Sequence, residues 1–294
     1  MVKNLYKKIE KDMLWFSEIQ NNGLPEDILL HFWVDIIWSG ITGKYTDIDR
    51  ESVCSLAKDW IQAKSLSNES VSVRDVYNQF TALDKVEHEW HQRRFDLSLV
   101  VDLYAEASGT NNAVDPWRKS QFEIFNGFST PVIADDIIPR MAEFGAFLEA
   151  VDFTIKDAPL RTILWIISLA HSRMIFIHPF PDANGRVARL LVNAILRRGG
   201  FPYIPIPKVR NSQSFLLALQ DSFVGNYAPL VDQYANLLSE SLREAVTELK
   251  IRGNTIPYMG IIDRLNTIYC MPFMPKFHSV TACRVVREKF CDVD

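Results

Sequence analysis

What this 294-residue chain lacks excludes several classes of protein at once. It has no long hydrophobic run: the longest, near Ile163–Ala170, is cut by His171 and Arg173. That falls well short of the ~20 apolar residues a membrane helix needs, so no membrane partner is expected. Cysteine is sparse: Cys54, Cys270, Cys283 and Cys291 show no C-x-x-C spacing, which argues against a zinc site or a disulfide frame. Reduced thiols are expected instead. Basic charge is not in excess. A net charge of −4 and a pI near 5.9 leave no broad cationic face for nucleic acid. The first residues, Met-Val-Lys-Asn-Leu-Tyr-Lys-Lys, carry neither the apolar core nor the cleavage site of a secretory signal. A cytoplasmic protein is the expectation, although a secreted effector with an unreadable export signal would look the same. No internal repeat or low-complexity tract appears.

Apolar residues, by contrast, make up 48% of the chain and aromatics 12%, enough for a sizeable globular core. Helical spacing dominates. It predicts helices over 1–22, 24–38, 52–64, 71–95, 96–108, 135–151, 158–176, 184–198, 212–223 and 228–249. The fold class expected is therefore all-α. Asn126-Gly127 between alternating apolar residues predicts one short β-hairpin, and Phe201–Pro207 reads as an extended linker. Charged residues crowd 84–94 and read as a solvated face. His88 and His91 in that run lack a third ligand and read as surface histidines. From Ile251 onward, prolines and a basic-apolar mix suggest a small appendage.

Chemistry concentrates at 178–189, His-Pro-Phe-Pro-Asp-Ala-Asn-Gly-Arg-Val-Ala-Arg. His178-Pro179 stops one helix, because a residue before proline is pushed out of the helical region. A second helix begins near Asn184 or Gly185. Its unpaired N–H groups and positive dipole end favour an anion. Asn184 adds an amide donor, Gly185 permits close backbone approach, and Arg186 and Arg189 supply two guanidinium forks suited to phosphate oxygens. Asp182 offers a hard oxygen of the kind Mg2+ uses when it bridges phosphates. His178 can take a proton near neutral pH. These parts suit phosphoryl or nucleotidyl transfer.

The stretch also resembles the signature of Fic-domain proteins, H-x-F-x-[DE]-[GA]-N-[GK]-R-x-x-R, at every specified position. Ala183 stands where most members carry glycine, and it reads as a modifier of the phosphate cradle. The resemblance implies a Fic-type helical bundle with a β-hairpin flap beside the active site. It implies transfer of AMP from ATP, with Mg2+, to a Tyr, Thr or Ser hydroxyl of a target protein or of the chain itself. His178 would be the general base and Asp182 the Mg2+ ligand. Ala183, Asn184 and Gly185 would form a backbone anion hole, and Arg186 and Arg189 would hold the β- and γ-phosphates. Phe180 would pack inward and lock the loop. The helix start beside His178 would help to keep it neutral. The target would dock through the flap near Phe122–Phe128, for which an ordinary hairpin is the plainer reading. A homo-oligomer stays open.

Many Fic proteins also carry an inhibitory helix, [ST]-x-x-x-E-[GN], whose glutamate pairs with the last arginine of the signature. Ser39-Gly40-Ile41-Thr42-Gly43 resembles it with Thr42 in the glutamate's place, and Trp38 stands where its first Ser or Thr would be. Ser65–Ser70 is an alternative that keeps Glu69, and a plain glycine-broken helix end is a third. The expected division is 1–95 as an N-terminal helical region with this degenerate segment, 96–250 as the catalytic core, and 251–294 as the appendage. Rival readings are transfer of UMP, phosphocholine or phosphate, removal of AMP, and a toxin-like interaction module with a silent nucleotide site.

Overall fold

The computed structural model describes residues 2–20, 26–42, 44–62, 69–110, 115–121, 132–208 and 212–251. These form ten α-helices and no strand. They are α1 (Val2–Gln20), α2 (Glu26–Ile41), α3 (Arg50–Ile61), α4 (Val71–Lys85), α5 (Leu97–Ser108), α6 (Ile137–Thr154), α7 (Leu160–Ile177), α8 (Asn184–Arg198), α9 (Gln213–Phe223) and α10 (Ala228–Ile251). The expected hairpin at 122–128, the Ser65–Asn68 part of the alternative inhibitory segment and the appendage beyond Ile251 lie outside the described residues.

Side chains written into the sequence begin several of these helices. The Asp49 carboxylate accepts from the Ser52 N–H at 2.8 Å, and Asp96 accepts from the Leu99 N–H at 3.1 Å. Ser70 and Ser212 cap α4 and α9 in the same way. Gly109 ends α5 at φ 68°, where a side chain would be strained.

The bundle is built around α7 and α8. Helix α7 is long and apolar enough to cross a membrane by length and composition alone, yet it is mostly buried within the bundle. It packs against α6, α8, α9 and α10, while α1 lies along α10 and α5 packs on α8. One apolar cluster runs from Ile9 in α1 to Ala245 in α10, so the N-terminal helices share a core with the rest.

Helix α8 is unusual because it is buried nearly all round while carrying Asn184, Arg186, Arg189, Asn193 and Arg197. Most of these polar groups position something. The Asn193 amide donates to the Ile204 carbonyl at 3.2 Å and accepts from the Ile204 N–H at 2.9 Å, which pins the extended 201–208 segment on the helix. Arg197 makes a two-pronged pair with Glu87, 2.8 Å on each side. Arg198 reaches Asp152 at 2.7 Å.

Glu87 corrects the reading of 84–94 as a solvated face. Helix α4 continues into a π-helical turn, Val86–Trp90, and Glu87 in it meets Arg197 and the Tyr203 hydroxyl. His88 does sit on the surface, its ring paired with Asp84.

Candidate active site

The His178-Pro179 junction ends α7 as expected, and the loop that follows is sharp. His178 ends α7 at φ 50° and Ala183 opens α8 at φ 62°. They are the non-glycine residues in the left-handed region among the described residues. Each conformation costs on the order of 1–3 kcal/mol and persists only where the surroundings impose it. The value at Ala183 explains why glycine suits this position: the methyl group is strained by the backbone before any phosphate is considered.

Packing from both sides imposes the loop. Phe180 is fully buried and stacked between Tyr104, 4.0 Å between ring centres at an interplanar angle of 4°, and Trp117, 5.4 Å away. The Asn184 side chain closes the loop on itself, accepting from the Phe180 N–H at 2.9 Å and donating to the Phe180 carbonyl at 2.7 Å. Sequence reasoning counted that amide as a donor for an anion. The structure commits it to the loop, and the backbone start of α8 remains as the anion-facing feature.

His178 Nδ1 lies 3.2 Å from the Ile175 carbonyl oxygen. Donation there leaves the ring lone pair on Nε2, the tautomer a base at Nε2 requires. Burial above all, with the Arg118 charge in the same direction, brings its pKa down to about 4 against the Ile175 hydrogen bond and the Asp182 carboxylate. The ring is neutral at pH 7, as expected, and the leading cause is burial.

The two signature arginines have different surroundings. Arg186 is 8% exposed and held by Asp75 at 2.9 Å, the Ala107 carbonyl at 2.8 Å and Asp182 at 3.1 Å. Asp75 in turn takes the Lys44 ammonium at 2.8 Å and the Tyr45 hydroxyl. Arg189 is equally buried, 7% exposed, and no carboxylate pairs with it among the described residues. Burial and the neighbouring Arg186 charge bring its pKa down to about 10, so it stays a cation at neutral pH.

The end of α2 packs on this cation. A methyl group added at Gly40 would sit 2.8 Å from Arg189 Nη2, and one at Gly185 would sit 3.4 Å from Nη1. Thr42 donates its hydroxyl to the Trp38 carbonyl at 2.6 Å, within its own helix end. Ser39 ties that end to the extended segment by donating to the Ile206 carbonyl at 3.2 Å.

The Asp182 carboxylate is exposed, with one oxygen turned to Arg186. A hard, solvent-facing carboxylate beside a polyphosphate cradle fits Mg2+, which commonly binds through one or two carboxylates, substrate phosphates and water.

One residue that sequence reasoning passed over is central. Arg118 is 2% exposed and spends its guanidinium on backbone oxygens: His178 and Ser120, each at 2.8 Å, and Val132. Its own N–H donates to the Pro179 carbonyl at 2.8 Å. Nothing local marks it, since its partners are brought to it by the fold.

Residues 94–196 match the model of the Fic/DOC family. The chain is 26% identical over 175 residues to protein adenylyltransferase fic-1 of Caenorhabditis briggsae, a match covering 59% of this chain and 32% of that protein. It is 41% identical over 144 residues to protein adenylyltransferase Fic of Drosophila grimshawi, covering 49% and 28%. The matched stretch thus spans about a third of these relatives. Among solved structures, Fic-1 (134–508) from C. elegans superposes with a TM-score of 0.64 at 17% identity, covering 85% of this chain and 74% of that one. A Fic-domain signaling protein from Bacteroides thetaiotaomicron gives 0.64 at 19%, covering 87% and 99%. At these identities the likeness speaks for fold. The chain has the all-α Fic fold, and its residues 94–196 match the Fic/DOC family model.

Proposed function

We propose that this chain transfers AMP from ATP to a hydroxyl side chain of a protein, itself or another. The observation that carries the reading is Arg189, a buried cation without a carboxylate partner among the described residues, at a helix start next to a loop that holds a neutral histidine. A fold that buries an uncompensated guanidinium supplies its partner from outside, and an anion at a helix N-terminus is the natural one.

In this reading Arg189 and the backbone start of α8 at Ala183, Asn184 and Gly185 hold the triphosphate. Arg186, fixed by Asp75, completes the cradle. Asp182 would hold Mg2+, which when bound neutralises charge on the phosphates. His178 takes the proton of the target hydroxyl as its oxygen attacks the α-phosphorus. The new O–P bond forms, the bond to the bridging α,β-oxygen breaks, and pyrophosphate leaves with that electron pair. The target's hydroxyl is brought in beside residues 122–128, whose flanks at Ser120 and Val132 are drawn together by Arg118.

The test is incorporation of label from α-labelled ATP, with UTP, GTP and CTP alongside, into the chain itself and added protein. His178→Ala is expected to lose ~10²–10⁴-fold of the rate, the usual contribution of a general base. Undiminished labelling by that variant overturns the assignment. Stronger labelling from another nucleotide overturns the choice of AMP.

A further inference from the structure

Resting on that reading, we propose that Arg118 is a positioning residue that holds the His178 backbone and both flanks of residues 122–131 as one unit, so that base and target hydroxyl arrive in register. The geometry is specific. One guanidinium donates through Nε to the His178 carbonyl, through one terminal nitrogen to Ser120 and through the other to Val132. Ser120 precedes the segment expected to grip the target, and Val132 follows it. The Val132 N–H also donates to the Phe176 carbonyl at 3.4 Å, so the second flank lies against the end of α7 as well. On the loop side, Arg118 contacts two consecutive carbonyls, those of His178 and Pro179. His178 is the residue held at φ 50°, and such a conformation persists only where its surroundings over-determine it. No lysine could do this, because the planar fork sends its donors in three fixed directions.

Arg118 touches none of Asn184, Arg186 or Arg189 through these bonds, so its loss should spare ATP binding and strike the chemical step. The experiment compares the full chain with Arg118→Met and Arg118→Lys in self-labelling from α-labelled ATP over a range of ATP concentrations. Hydrogen–deuterium exchange is followed on the same proteins. Both variants are expected to lose ~10–100-fold in maximal rate, as a misplacement near 1 Å does, with the half-saturating ATP concentration within about threefold of the parent. Exchange should quicken in 116–121 and 174–182 and stay unchanged in 187–198. Rescue by Arg118→Lys would mean that charge alone suffices and would overturn the proposal. So would a loss carried by ATP affinity, or unchanged exchange in the two named stretches. Should Arg118→Met exchange globally, as an unfolded chain does, Arg118→Lys decides. If the parent incorporates no AMP, the transferase reading fails, and the exchange pattern by itself decides whether Arg118 couples the two stretches.

Discussion

Replacing Asp75 with asparagine should destabilise the chain through Arg186. The carboxylate is 12% exposed, ion-paired with Arg186 through one oxygen and accepting hydrogen bonds from Lys44 and Tyr45 on the other. Breaking a buried ion pair from one side costs about 3–5 kcal/mol, because the remaining charge is stranded. Arg186 keeps the Ala107 carbonyl and Asp182, which argues for the lower end. Lys44 is a third exposed and adds little. About 3 kcal/mol, at ~2–4 °C per kcal/mol for a chain of this size, gives a drop of roughly 6–12 °C in Tm. The effect has a pH signature. Burial raises the pKa of Asp75, but the hydrogen bonds from Lys44 and Tyr45 and the Arg186 charge outweigh it and hold the group below its ordinary value. A depressed carboxylate contributes in full above its unfolded pKa, about 4, and the contribution fades as pH falls through the lower folded value. The gap between parent and Asp75→Asn should therefore be constant from pH 7 to 5 and narrow below about 4. Calorimetry across that range checks both parts. A Tm within 2 °C of the parent at pH 7, or a gap that widens on acidification, refutes the reasoning.

Two further perturbations probe the face of α2 that meets Arg189. Thr42→Glu places a carboxylate on the helix end that packs against the unpaired guanidinium. A charge-assisted hydrogen bond is worth about 1.5–3 kcal/mol, so nucleotide affinity should fall ~10–100-fold in a binding titration. Affinity equal to the parent's would break the likeness to an inhibitory helix. Gly40→Ala adds a methyl group 2.8 Å from Arg189 Nη2, so the guanidinium must shift within a packed site. Overpacking costs about 1–3 kcal/mol, and AMP labelling should fall together with Tm; a variant matching the parent in both would show that Arg189 does not depend on the α2 end.

The parts of the site that could be read ahead are local in the chain. His178-Pro179 and the start of α8 follow from neighbours within a dozen residues, where helix stops and caps operate. The inward Phe180 comes from the resemblance instead, its partners Tyr104 and Trp117 lying far off in the chain. What escaped depends on distant partners. Arg118 bonds to a residue 60 positions away, and Glu87 to one 110 away. Asn184 shows the converse limit. Its residue type fits anion binding and loop closure equally well, and only the paired bonds to Phe180 distinguish the two.

The contrast among the arginines of α8 is the strongest argument for a ligand. Arg186, Arg197 and Arg198 each meet a carboxylate, so the other arginines of this helix are charge-paired as a rule. Arg189 is as buried as Arg186 and breaks that rule. The ionisable groups felt there are the wrong kind to stand in: Arg186 is a like charge, and burial holds the Tyr234 phenol well above its ordinary pKa, so it stays protonated and brings no negative charge. His171, bonded to Tyr234, is kept neutral by burial, its pKa near 3, and supplies none either. In the proposed function, the unfilled half of this pair is an anion that arrives from outside the described fold. Gly40, without a side chain, is what lets the end of α2 lie this close to the guanidinium.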